Sequence, residues 1–194
     1  MFVYKDCNSR AEVLSSGLPQ PGCFFNTPNN KVIDTDKLSG CMFAIANTQY
    51  YDNETASIIT KEQYDDMEDT STVDIKKDLL DGNNLFQVEG LTKFKQWHKC
   101  TMKWASGAFK KMEKGPERKQ FKKDMVELLD VSDTSNGFAA WVKESFSDLE
   151  FWTTDIADAL QDKTAFMIPV IYETVLPYRA ILVIPKCFVV EEAV

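Results

Sequence analysis

The hydrophobic period of this chain changes at Gly90-Leu91-Thr92, and that change sets the class of fold. From there Phe94, Trp97, Thr101, Trp104, Ala105, Ala108 and Met112 fall on one stripe of a helix, with Lys95, Lys99, Lys103, Lys110 and Lys114 on the opposite one. Thr92 is the expected N-cap and Gly115 the residue just past the helix end. Pro116 then suits the first position of a second helix carrying Phe121, Met125, Leu128 and Leu129. So short a link predicts an antiparallel helical hairpin. A polar break, Asp130 to Gly137, precedes a third helical pattern with Phe138, Trp141, Val142 and Phe146.

The text on either side is β-like. Phe2-Val3-Tyr4, Cys23-Phe24-Phe25, Lys31-Val32-Ile33 and Cys41 to Ile45 are short apolar runs between turn signals. Tyr50 to Asp74 carries eight acids against one lysine, which predicts a long acidic mobile loop over residues 50–72. Strands are expected at Val73 to Leu80 and Leu85 to Leu91, joined by the hairpin-type turn Asp81-Gly82-Asn83-Asn84. The C-terminal thirty residues predict two buried strands around a turn at Glu173 to Pro177, then a third short run. Pro169 and Pro185 each lack a ladder donor and belong at an edge or bulge. The expectation is one α+β domain over residues 1–194, with a helical insertion at residues 92–146.

At 194 residues and 44% hydrophobic content the chain can bury a core. Met1 to Tyr4 is followed at once by Lys5-Asp6, and no run of about 18 apolar residues occurs, so a cytoplasmic protein without a membrane partner is expected. Five cysteines at long intervals with no Cys-x-x-Cys pair predict reduced thiols. The single histidine, His98, reads as a packed or half-exposed helix residue. Phosphate-binding glycine loops and the nucleophile-elbow motif are missing from the sequence, so an ordinary enzyme is not signalled.

Charge is distributed unevenly. Lys93 to Lys123 holds eleven basic residues and two acids, a net of +9 that leaves −17 for the rest of a chain whose total is −8. Like charges four apart on a helix repel by a few tenths of a kcal/mol per pair. A solvated face accounts for lysines; it does not account for so few interleaved acids. An acidic protein surface is the expected partner, because the −17 remainder repels phosphate and no aromatic-rich RNA motif interleaves the lysines.

Several short features, in order along the whole chain, carry a resemblance. They are Met1, Tyr4, Lys5 and Asp6 at the start, Glu12, Ala46-Asn47 before the acidic segment, Ser71 to Asp74 after it, the basic hairpin, Phe146 followed by Phe151-Trp152, Pro177-Tyr178 and Glu191-Glu192. Together they resemble the translationally controlled tumour protein family. Departures are Thr154-Asp155 where the family has Gly-Glu, Ala193-Val194 where it has Lys-Cys, and an insertion at Asp130 to Gly137.

The resemblance implies a β-tent (Mss4-like) domain, akin to Rab-binding exchange-factor-like proteins and methionine sulfoxide reductases without their zinc cysteines. It also implies a monomeric multi-partner protein. The implied partners are tubulin, calcium, a Ras-like small GTPase and anti-apoptotic Bcl-2 relatives. Glu12 and Asp155 match the positions that would touch the GTPase, where a carboxylate set against its phosphate-binding lysine or magnesium would weaken nucleotide binding without covalent chemistry. Lys95, Lys99, Lys103, Lys110, Lys114, Lys119, Lys122 and Lys123 are the expected contacts for tubulin and other acidic partners. No cofactor is required. Asp52, Glu54, Glu62, Asp65, Asp66, Glu68 and Asp69 offer hard oxygens for a weak Ca2+ site, though without EF-hand spacing. The alternatives from other classes are a methionine-sulfoxide-reductase-like enzyme and a nucleic-acid-binding chaperone acting through the hairpin.

Overall fold

Two antiparallel sheets form from the β-like text at the two ends of the chain. In the computed structural model, which describes residues 2–15, 33, 36–77, 85–172 and 179–194, the smaller sheet joins β1 (Phe2–Asp6) to β2 (Glu12–Ser15) and β10 (Val189–Ala193). Its order is β10-β1-β2, with Phe2 opposite Ala193 and a bulge between Tyr4 and Lys5.

The larger sheet is built on one long strand, β3 (Cys41–Asp52). Its first seven residues pair with β9 (Arg179–Pro185), and the remainder pairs with β4 (Ser57–Ile59) and β5 (Val73–Lys77). From β9 the sheet continues through β8 (Ile168–Tyr172) and β7 (Leu149–Thr153) to β6 (Phe86–Gln87). The prolines sit where the missing donor does least harm. Pro169 pairs with β7 just before the β8–β9 ladder begins at Val170, and Pro185 is the last residue of β9.

Two expectations about the middle of the chain are corrected. β5 and β6 do not pair with each other; β5 joins β3 and β6 joins β7, while the turn at residues 81–84 lies outside the described residues. The segment at residues 50–72 is not one uninterrupted loop. It continues β3, turns into β4 and forms a short helix, α1 (Lys61–Asp65), closed by a capping box between Thr60 and Gln63. Asp52, 5% exposed, holds the base of this arm by accepting from Glu54 N–H and from the hydroxyls of Thr55 and Thr72. The predicted runs at residues 23–25 and 31–32 and the turn at residues 173–177 also lie outside the described residues.

The helical text gives α2 (Phe94–Lys111), α3 (Pro116–Leu128) and α4 (Phe138–Ser145). Lys93 and not Thr92 is the N-cap of α2, without a side-chain cap bond. Gly115 caps the start of α3 instead of ending α2, because Pro116 at the first helical position keeps the preceding residue extended. Trp97 and Trp104, both fully buried, carry α2 into the core. Trp97 packs on Phe138 and Phe151 and donates to Met167 O at 3.0 Å. Trp104 packs on Phe166 and Phe188. Burial of each ring contributes about 4–6 kcal/mol before entropy is counted.

A polar knot ties α2 to both sheets. Asp6, 2% exposed, accepts from Trp104 Nε1 and from the backbone N–H groups of Asn8, Ser9 and Phe166. Asn8 Nδ2 then donates to Trp104 O, against Gly107 of the same helix.

Candidate interaction surface

α2 and α3 run antiparallel, as their contacts show: His98 meets Leu129 at one end, and Phe109 meets Arg118 at the other. His98 stacks on Phe94 and donates from Nε2 to Leu129 O at 2.8 Å, satisfying a carbonyl at the end of α3. The histidine is a structural clasp. The guanidinium of Arg118 lies 4.2 Å from the centre of the Phe109 ring.

Apart from Lys93 at the N-cap of α2, the hairpin's basic residues divide into two groups. Lys111 Nζ donates to Asn8 O and Arg118 stacks on Phe109, so these two hold the hairpin together and onto the small sheet. Lys95, Lys99, Lys103 and Lys110 on α2, Lys114 in the link, and Lys119, Lys122 and Lys123 on α3 are all exposed. Among the described residues none of these eight forms an ion pair; the ion pairs found there join Lys5 to Glu192, Lys37 to Glu144 and Lys61 to Asp65. Lys95, Lys99 and Lys103 follow one another at four-residue steps along a rigid helix, so their charges stand as a row with fixed spacing.

Between α2 and α3 the surface dips into an apolar groove of about 280 Å³, lined by Met102, Phe109, Phe121, Met125, Val126 and Leu129 among others. Met102 is 47% exposed and Val126 65% exposed on its two lips. Sequence reading missed this groove, although Met102 and Val126 are apolar residues on otherwise basic faces and were the available signal.

Glu12 begins β2 in the small sheet, exposed; Asp155 follows β7 of the large sheet, exposed, and accepts from Asp158 N–H. Among the described residues no hydrogen bond or ion pair joins the two. Nor do three of the acids at positions 52 to 69, or any other three His, Cys, Asp or Glu of the described residues, converge as a metal site would require. Asp52 is occupied by its donors, Asp65 by Lys61 and Asp69 by Ser71 N–H.

Cys7, Cys41, Cys100 and Cys187 are free thiols. Burial pushes Cys7 and Cys41 well above the ordinary thiol range and Cys187 up to about 12, settings that disfavour the nucleophilic thiolate. No described helix is long and apolar enough to cross a membrane.

Neither a family model nor a curated protein matches the sequence. Solved structures do match. A translationally controlled tumour protein from Caenorhabditis elegans superposes with a TM-score of 0.55 over 100% of this chain and 99% of its own, at 17% identity. The fold is that of translationally controlled tumour protein. A second member, from Schizosaccharomyces pombe, gives a TM-score of 0.59 at 15% identity, with both chains covered in full. The translationally controlled tumour protein fold is Mss4-like, so the β-tent expectation holds for this chain. At these identities the likeness concerns backbone architecture, and it leaves the side chains of the hairpin to be judged on their own geometry.

Proposed function

We propose that this chain is a multi-partner interaction protein that docks acidic protein surfaces on its basic hairpin. One observation carries the reading: eight lysines stand exposed on two rigid helices, none with an acidic neighbour in ion-pair range among the described residues. A lysine row without an ion-pair partner among the described residues costs self-repulsion, and an acidic partner offsets it. Tubulin, with its acidic tails, is the first partner to test. A Ras-like GTPase at Glu12 and Asp155 and Bcl-2 relatives belong to the same reading, as does action in the cytoplasm. Catalysis is not part of it, in keeping with thiols that burial holds protonated.

The experiment is a titration of tubulin with wild type and with Lys95→Glu/Lys99→Glu/Lys103→Glu, at low and high salt. Charge reversal should weaken binding on the order of tenfold or more at low salt, and added salt should erase most of the difference. Equal binding by the two proteins, or binding indifferent to salt, would remove the proposal.

A further inference from the structure

The groove between α2 and α3 combines two properties seldom found together on a free surface. Its floor is apolar, formed by Phe109, Phe121, Met125 and Leu129. Its lips carry exposed Met102 and Val126, yet each has cationic neighbours at helical spacing: Lys99 three residues before Met102 on α2, and Lys122 and Lys123 four and three residues before Val126 on α3, with Lys122 itself lining the groove. A disordered acidic tail would satisfy the lysines and leave the apolar floor in water. An aliphatic helix would cover the floor and leave the lysines without partners. A ligand with apolar side chains along one stripe and carboxylates on both flanks matches floor and lips together.

We propose that this groove takes an amphipathic helix of a partner protein, with leucine- or isoleucine-sized residues at i, i+3 or i+4, and i+7 on the floor and glutamate or aspartate flanking them. The inference rests on the reading that the hairpin docks acidic proteins, and narrows the partner from any acidic surface to a helical one. A volume of about 280 Å³ lies at the small end of ligand pockets, enough for a few side chains along one face of a helix. Phe109 and Phe121 supply a rigid floor, the first held by the Arg118 guanidinium and the second 5% exposed.

The test uses the full chain and two synthetic peptides of equal length and equal negative charge, one with the apolar stripe and one with glycine and serine in its place. Fluorescence polarisation should give the striped peptide at least tenfold tighter binding, with helix appearing in its circular dichroism on binding. The charge-neutral variant Met102→Gln/Val126→Gln changes two exposed residues and leaves the lysines alone. It should bring the striped peptide's affinity to within about twofold of the other, whose binding is unchanged.

Equal binding of both peptides to wild type overturns the groove while leaving the lysine reading intact. Failure of both peptides overturns both. Self-association of the chain, abolished by the same variant in sedimentation, would show a second copy in the groove and overturn the helical-partner assignment.

Discussion

Trp104 Nε1 lies 2.9 Å from one oxygen of Asp6 and 3.1 Å from the other, joining the middle of the first long helix to the first strand across ninety-eight positions of sequence. Around that bond are three backbone donors, one of them Phe166 N–H at 2.8 Å, so a single carboxylate fixes the small sheet, the hairpin and the approach to β8. The basic surface is aimed by this buried group.

Asp6→Asn should therefore cost about 1–3 kcal/mol. Its amide nitrogen would face Phe166 N–H, leaving one buried donor opposed to another. Trp104→Phe, which keeps a ring but deletes the donor, should cost a similar amount. Urea denaturation of both variants checks this; losses below about 0.5 kcal/mol would show that the knot is dispensable.

The pH dependence of the same group has a definite sign. Burial raises the Asp6 carboxyl above its ordinary value, against the pull of its Phe166, Trp104, Ser9 and Asn8 donors. A carboxyl raised on folding contributes stability that is fully present below its unfolded pKa, about 3.9, and lost as pH rises through the folded value. The stability gap between wild type and Asp6→Asn should then be wider at acid pH than at neutral pH. A gap that widens with rising pH would refute the assignment.

Asp52 has the opposite sign. Glu54 N–H, and then the hydroxyls of Thr72 and Thr55, hold its carboxyl below the ordinary range. Its contribution is present above the unfolded pKa and fades as pH falls through the depressed folded value. The protection of the Glu54 amide relative to its intrinsic exchange rate should fall on acidification, and Asp52→Ala should release the arm at neutral pH while the hairpin stays protected. Equal protection of the arm in wild type and variant would count against this.

Gly107→Ala offers a test of close packing. Alanine normally gains about 1 kcal/mol over glycine within a helix. Here the added methyl would fall 2.7 Å from Asn8 Nδ2, and Asn8 is 2% exposed with its amide bonded to Trp104 O. Moving that amide forfeits about 1 kcal/mol of hydrogen bond, so the usual gain should vanish. A melting temperature raised by several degrees would contradict the packing described.

His98→Ala should loosen the open end of the hairpin by about 1–2 kcal/mol, through loss of the bond to Leu129 O and of the stack on Phe94. Hydrogen exchange should rise at residues 125–129 and remain low around Trp104. Uniform exchange along α3 would argue that the clasp carries no local stability.

What could be read from the sequence was periodic. Trp97, Trp104 and Ala108 on one stripe, and Pro116 opening the next helix, announced the hairpin because each is enforced locally. The acidic arm was misread for a different reason: its charge resembled that of a solvated loop, while its order comes from one buried carboxylate and a Thr-x-x-Gln capping box at Thr60 and Gln63, both short signals. Asp6 was read only as part of a motif, since nothing in Tyr4-Lys5-Asp6 reveals that Trp104 and Phe166 will meet there. The structural tasks of Lys111 and Arg118, bonding Asn8 O and stacking on Phe109, have no local signal either, because tertiary packing creates both contacts.

The strand at residues 2–6 is flanked on one side by the strand at residues 189–193. On a ribosome adding about 5–20 residues per second, the first of these emerges on the order of ten to forty seconds before the second exists. For that interval the newborn chain displays an open β edge, which a chaperone has to shield until residues 189–193 arrive to cover it.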